Sequence, residues 1–335
     1  MKTVTSQFSA QRIAVAHCDL PGDAIDRLSQ SYAVDVWNTS APPTGDALTA
    51  FLGDAQALIC SASVPINDSV LAQCPQLHTI ALVSVGYDRV DLDACRSRGV
   101  LVTNTPGTIH QATADIAMLL MLGARRLAHP AIDMLRGGRW KPLGLHEQLA
   151  LDMHGAKLGI VGMGDIGRQV AKRAHGFSMD VVHFSRTKRE EPDSQWVEFD
   201  ELLATSDVVS LHVPLSAQTR HMIGARELSM MKQTATLVNT GRGGLVDTDA
   251  LVTALSTGLI HSAGLDVFEV EPFVDVDHPL LSLPNAFVLP HVGSATEAAR
   301  SAMVERAAAN VAARLRGEPA LTPVPELADL NGVRR

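Results

Sequence analysis

Three stretches in the C-terminal half of this 335-residue chain each bring an ionisable or ion-binding side chain to the end of an apolar run. Val238-Asn239-Thr240-Gly241-Arg242-Gly243-Gly244 carries an arginine between glycines. Gly264-Leu265-Asp266-Val267-Phe268-Glu269-Val270-Glu271-Pro272 carries two glutamates, and Leu289-Pro290-His291-Val292-Gly293-Ser294 carries a histidine. Such runs read as strands, and in an open α/β sheet ligands bind at the carboxyl ends of the strands, so the three charges point to one crevice. A histidine can supply a proton near neutral pH, and a carboxylate beside it favours the imidazolium and fixes its tautomer. Glu271 is the candidate partner of His291, with Glu269 its rival. Arg242 offers a planar fork that a substrate carboxylate can take bidentately, which a lysine does less well.

A proton donor beside a cation needs something to act with, and Gly162-Met163-Gly164-Asp165-Ile166-Gly167 suggests what. The run directly follows the expected strand Lys157 to Val161 and opens a helix through Arg168 and Val170. In that context the first glycine permits a tight turn, the second lets backbone approach a pyrophosphate, and the third lets helix and strand pack closely. A nicotinamide dinucleotide is the expected cofactor. An acidic residue at the end of the next strand would hold the 2'-hydroxyl of NAD. Here the strand Asp180 to Phe184 runs out into Ser185-Arg186-Thr187-Lys188-Arg189, and Asp180 stands at its other end. Arg186 and Lys188, with the Ser185 and Thr187 hydroxyls, suit a 2'-phosphate, so NADP is favoured. Asp165 and the following Glu190-Glu191 pair weigh the other way and leave NAD possible.

The elements that must position these groups alternate. In the first third, strands are expected at Arg12 to His17, Ala57 to Cys60, Thr79 to Val83 and Gly99 to Val102, before Asn104-Thr105-Pro106-Gly107 breaks the pattern. A long buried helix is expected over Ala112 to Leu127, then a loop from Arg136 to His154. Six strands follow: Lys157 to Val161, Asp180 to Phe184, Val208 to Val213, Thr236 to Asn239, Gly264 to Val267 and Ala286 to Leu289. Ala295 to Leu315 reads as a final Ala-rich helix. The pattern predicts parallel α/β sheets, and the length favours two domains over one.

Composition excludes several classes. A net charge of -8 without a long basic block argues against a nucleic-acid partner. The longest apolar run, Ile116 to Ala124, is far short of the ~20 residues of a membrane span, so no membrane is expected. Met1 to Asp23 lacks the uninterrupted apolar core of a secretory signal, which makes the cytoplasm the default location. Cys18, Cys60, Cys74 and Cys95 show no Cys-x-x-Cys spacing and read as buried, reduced thiols; no metal site is expected.

Together with Ser84-Val85-Gly86-Tyr87-Asp88, Asn104-Thr105-Pro106-Gly107 and Thr113-Ala114-Asp115, these motifs make nearly the whole chain resemble the D-isomer-specific 2-hydroxyacid dehydrogenase family, nearest its glyoxylate/hydroxypyruvate reductase branch. The resemblance implies two Rossmann-like doubly wound domains with the active-site cleft between them. Residues 1–104 with 294–335 would form the substrate domain and 105–293 the NAD(P)-binding domain. It implies that Arg242 grips the substrate carboxylate and carbonyl, that His291 donates the proton, and that Glu271 hydrogen-bonds His291. The backbone of Val85 and Gly86 would bind the substrate carboxylate. Thr113, His212, Val213, Pro214, Thr219, Thr240, Asp266 and Gly293 would join the glycine loop around the cofactor, with Arg242 and His291 at its edge. Formate dehydrogenases of similar sequence carry glutamine where Glu271 stands, and phosphite dehydrogenases carry lysine where Val85 stands, so both are disfavoured. The alternatives are a 2-ketogluconate or D-lactate type of dehydrogenase and a co-repressor-like protein of the same fold that senses nicotinamide. Choice of keto acid would depend on Ser61, Ala62, Ser63 and Val85. A homodimer through the cofactor domains is implied, with the loop around Trp140 reaching toward the neighbour's active site.

Overall fold

The computed structural model describes residues 11–332, so the N-terminal stretch read for a signal falls partly outside it. The chain divides into two compact units, Met1–Ile109 with Ala295–Arg335, and His110–Ser294.

The first unit is built on five parallel strands: β1 (Arg12–Val15), β2 (Ala33–Val36), β3 (Ala57–Cys60), β4 (Thr79–Leu82) and β5 (Leu101–Thr103), in the order β2-β1-β3-β4-β5. Side chains alternate across a strand, and β1 shows the result: Ile13 and Val15 enter a core with Val304, Ala307 and Val311 of the helix Glu297–Leu315, while Ala14 enters another with Leu48, Leu52 and Leu58. Apolar layers on both faces account for the unbroken hydrophobic runs of β3 and β4. Strand β2 escaped the sequence reading because it lies at the sheet edge. Ala33, Asp35 and Val36 are exposed, so no apolar run marks it. The fourth expected strand lies at Leu101–Thr103, two residues beyond its expected start, because Gly99 takes φ 64° as the C-cap of the preceding helix. Cys60, Cys74 and Cys95 are buried as expected, but Cys18 is exposed; all four are free thiols.

The second unit holds seven parallel strands: β6 (Lys157–Val161), β7 (Asp180–Phe184), β8 (Gln195–Trp196), β9 (Val208–Leu211), β10 (Thr236–Asn239), β11 (Ser262–Leu265) and β12 (Ala286–Val288). Their order is β12-β11-β10-β9-β6-β7-β8. The order reverses at β6, whose neighbours are β9 and β7, which makes the turn after β6 the topological switch point where a ligand crevice forms. Six of the seven strands were expected. The two-residue β8 is too short to carry a periodic signal, and β9, β11 and β12 each stop before the expected last residue. The long helix runs over His110–Arg125, slightly earlier than expected. A second helix, Ala128–Arg136, precedes the expected loop and buries none of its residues. Ile132, Leu135, Trp140, Leu145 and Leu149 are exposed along that helix and loop.

Candidate active site

Strands β10, β11 and β12 lie side by side and in register, Asn239 opposite Leu265 and Leu265 opposite Val288. Their carboxyl ends therefore deliver Arg242, Glu271 and His291 to one edge of the second unit. The Arg242 turn is shaped by buried Asn239. Its Oδ1 accepts from the Gly241 amide at 3.0 Å and its Nδ2 donates to the Arg242 carbonyl at 2.8 Å, a two-sided use that only a carboxamide allows. The Arg242 guanidinium donates to the Gly241 carbonyl at 2.8 Å. At Gly243 a Cβ would stand 1.8 Å from the carbonyl carbon of Phe268, so the arginine turn lies directly against the backbone of the glutamate turn.

His291 takes φ 54°, a left-handed conformation that costs an L-residue on the order of 1 to 2 kcal/mol. Asp266 holds it there. Buried at the end of β11, its carboxylate accepts from the amides of Val292 at 2.8 Å and Gly293 at 2.7 Å, the two residues that follow the histidine. Burial pushes the Asp266 carboxyl above its usual range despite those two amides. The buried Thr113 hydroxyl donates to the Gly293 carbonyl at 3.1 Å and ties the long helix to the same turn.

The conformation of His291 brings its Nδ1 to 2.6 Å from Glu271 Oε2. The other oxygen of Glu271 accepts from the Phe268 amide at 2.9 Å, so both lone-pair sets are used. Burial alone would raise this carboxyl. The hydrogen bonds from His291 and Phe268 and the positive charges of His291 and Arg242 outweigh burial and hold it below the usual glutamate range. Glu271 is thus an anion across the neutral range. With Nδ1 taken, Nε2 is the ring nitrogen left to act on a ligand. Glu269, two residues earlier in the chain, turns instead to His221 and hydrogen-bonds its Nε2. Of the two glutamates, Glu271 is the one that meets His291, and the His221–Glu269 pair went unread because nothing in the local sequence joins positions 48 apart.

The glycine loop sits between β6 and the helix Asp165–Ala174, with Gly164 as its N-cap. Gly162 has φ 99°, and a Cβ there would lie 2.6 Å from the His212 carbonyl oxygen; at Gly167 it would lie 2.4 Å from that of Gly162. The first and third glycines are therefore demanded by the chain's own packing. At Gly164 a Cβ would meet no protein atom within 4 Å. That opening at a helix N-terminus is where a pyrophosphate would approach, so the residues fit a dinucleotide. Met163 is buried, Ile166 half-buried, and Asp165 exposed.

Beside the loop, Gly162 N donates to Phe184 O at 2.9 Å, which places Ser185 next to the cradle. The Ser185 hydroxyl donates to the Thr187 carbonyl at 2.9 Å and the Lys188 ammonium lies over the Trp196 ring, 5.1 Å from its centroid. Arg186 and Thr187 are exposed at the end of β7, and Asp180 stands at its start. On the other side of the switch point, His212 Nε2 lies 2.9 Å from the Ser210 hydroxyl and Nδ1 3.4 Å from Thr240 Oγ1. Burial pushes the His212 imidazole down to about 4, so it is neutral. Val213 packs at Gly162, and the Thr219 hydroxyl donates to the Pro214 carbonyl at 2.7 Å.

In the first unit, the carbonyls of Ser84, Val85 and Gly86 accept from Thr105 N at 2.9 Å, Asn104 Nδ2 at 2.7 Å and Ser84 Oγ at 2.7 Å. A trans peptide sets its N–H opposite its carbonyl, so fixing the first two carbonyls aims the amides of Val85 and Gly86 the other way.

A parallel sheet with a glycine cradle at its switch point, beside an Arg, Glu and His at neighbouring strand ends, defines a dinucleotide-dependent oxidoreductase. Residues 118–293 match the family model described as D-isomer specific 2-hydroxyacid dehydrogenase, NAD binding domain. The chain is 42% identical over 308 residues to a glyoxylate reductase of Thermococcus litoralis, covering 89% of this chain and 92% of that one. Among solved structures it is similar to a protein of Thermus thermophilus, with a TM-score of 0.88, 42% identity, and coverage of 94% and 100%. It is also similar to an NADPH-dependent glyoxylate/hydroxypyruvate reductase of Sinorhizobium meliloti in complex with NADP and malonate, with a TM-score of 0.83, 33% identity, and coverage of 98% and 99%. The chain belongs to the D-isomer-specific 2-hydroxyacid dehydrogenase family and is an NAD(P)-dependent oxidoreductase.

Proposed function

We propose that the chain reduces small 2-keto acids of the glyoxylate/hydroxypyruvate type to D-2-hydroxy acids, with NADPH preferred over NADH. The observation that carries the reduction is the hydrogen-bonded His291–Glu271 pair beyond the ends of β12 and β11, with Arg242 beyond the end of neighbouring β10. The bound nicotinamide supplies the hydride. Arg242 pairs with the substrate carboxylate and polarises the carbonyl, and the amides of Val85 and Gly86 take the remaining carboxylate oxygen. His291 Nε2 gives a proton to the carbonyl oxygen as negative charge builds there. Residues 1–104 with 294–335 act as the substrate domain and 105–293 as the cofactor domain. Thr113, residues 162–167, Ser185 to Lys188, His212 to Pro214, Thr219, Thr240, Asp266 and Gly293 surround the cofactor. The free thiols fit the reducing cytoplasm.

The NADPH preference rests on Arg186 at the exposed end of β7, where the strand itself ends without a carboxylate to hold a ribose hydroxyl. The NADPH-dependent relative of Sinorhizobium meliloti is consistent with it. In assays of glyoxylate, hydroxypyruvate, pyruvate, phenylpyruvate and 2-ketogluconate with both cofactors, the first two are expected to turn over fastest, with NADPH. Arg186→Ala should weaken NADPH by about 1.5 to 3 kcal/mol, the worth of a hydrogen bond to a charged group, and NADH hardly at all. Equal losses for the two cofactors would refute the NADPH reading, and no turnover of either two-carbon or three-carbon keto acid would refute the substrate reading.

The protein is proposed to act as a homodimer. The helix Ala128–Arg136 has no fully buried residue, and Leu135, Trp140, Leu145 and Leu149 are exposed along it and the loop that follows, apolar surface that a second copy would cover. Sedimentation at assay concentration should give twice the 35.7 kDa chain mass, and a monomer would end this proposal.

A further inference from the structure

The turn that follows β7 carries its own contradiction. Arg186, Thr187 and Lys188 suit a phosphate, yet Glu190 and Glu191 follow at once, and Asp165 opens the helix beside it. The register of β6 with β7, Val161 opposite Phe184, sets the glycine cradle and this turn next to one another. Three carboxylates so placed would oppose a 2'-phosphate. One of them is dealt with by Arg168, in the first turns of the helix Asp165–Ala174. Its Nε and Nη2 donate to the two oxygens of Glu191 at 3.0 and 2.8 Å, the paired geometry that suits a guanidinium. Its Nη1 also lies 3.8 Å from Asp165. The Glu191 side chain is only 12% exposed in this pair. The hydrogen bonds from Arg168 hold the Glu191 carboxyl below its usual range, so the charge being cancelled is a full one. The same turn is pinned at its start, where Trp196 Nε1 donates to the Ser185 carbonyl at 3.2 Å and its ring takes the Lys188 ammonium.

We infer that Arg168 is a specificity-determining residue for the 2'-phosphate of the cofactor, acting by cancelling the charge of Glu191 and leaving Arg186 to dominate the turn. This rests on the NADPH preference proposed above. Because Arg168 is spent on Glu191, it is a positioning and neutralising group and not a phosphate ligand. A lysine at 168 would cancel the charge but lose the two-point contact.

The test is titration of NADPH and NADH into wild type, Arg168→Gln, Glu191→Gln and the double variant, followed by cofactor fluorescence in the absence of keto acid. Arg168→Gln leaves an uncompensated carboxylate beside the phosphate and should raise the NADPH dissociation constant about tenfold or more relative to that of NADH. Glu191→Gln removes the carboxylate and keeps Arg168, so NADPH should bind as tightly as in wild type or tighter. The double variant should recover most of the NADPH affinity lost by Arg168→Gln. Retained NADH binding in each variant reports an intact cradle. A loss in Glu191→Gln equal to that in Arg168→Gln, or a double variant no better than Arg168→Gln, overturns the inference. A wild-type preference for NADPH that survives Arg168→Gln unchanged overturns the inference alone, whereas a wild type without preference overturns the cofactor reading and this inference with it.

Discussion

Replacing His291 by alanine is expected to lower kcat for glyoxylate reduction by about 100-fold to 10,000-fold, the usual worth of a positioned general acid. NADPH affinity should stay close to that of wild type. The reason lies in how the turn is held. Asp266 grips the amides of Val292 and Gly293, and Thr113 grips the Gly293 carbonyl, so the backbone near the cofactor keeps its shape when the ring is removed. Alanine at a site with φ 54° retains the cost of a left-handed residue, so modest destabilisation accompanies the change. Cofactor titration separates the two effects. If kcat falls less than tenfold while binding is intact, another group delivers the proton.

Glu271→Gln is expected to be the next most damaging change, and its signature is in pH. The Glu271 carboxyl lies below its usual range, because the hydrogen bonds from His291 and Phe268 and the charges of His291 and Arg242 outweigh the upward push of burial. Glutamine can still accept from Nδ1 but carries no charge, so kcat at neutral pH should fall, by less than in His291→Ala. The sign fixes the acid side. A carboxyl held low keeps its pair intact down through the ordinary glutamate range and loses it only as pH falls through its own lower value, a limb the glutamine variant lacks. Profiles of kcat at saturating NADPH from neutral to acid pH would check that limb. The same acid limb in Glu271→Gln as in wild type would mean that Glu271 does not set it.

The local chemistry of these elements was legible in the linear chain because it is local. Gly162, Gly164 and Gly167 follow a strand and open a helix within a dozen residues, and backbone sterics dictate that spacing wherever it occurs. The largely apolar runs of β3, β6, β9 and β10 were equally plain, since strands covered on both faces bury nearly every position. Arg242 and His291 stood out because charged groups seldom end such runs without a use. The edge strands β2 and β8 were illegible for the opposite reason: a short, half-exposed strand buries too little to impose a pattern.

Pairings across the chain required the fold. Glu269 and Glu271 are indistinguishable by type and differ by two positions; only the backbone direction after β11, set by the close contact at Gly243 and the amide of Phe268, turns one toward His221 and the other toward His291. Asn239 reads as an ordinary strand residue until its carboxamide is seen to close the Arg242 turn from both sides. Glu191 reads as a charge hostile to phosphate until Arg168, 23 residues away, is seen to cancel it. Residue types and periods are written in the sequence because each element must satisfy its own backbone and bury its own face. Which charge meets which is decided by distances that exist only once the strands are laid in register, and it is those distances that settle the protonation and the net charge of a site.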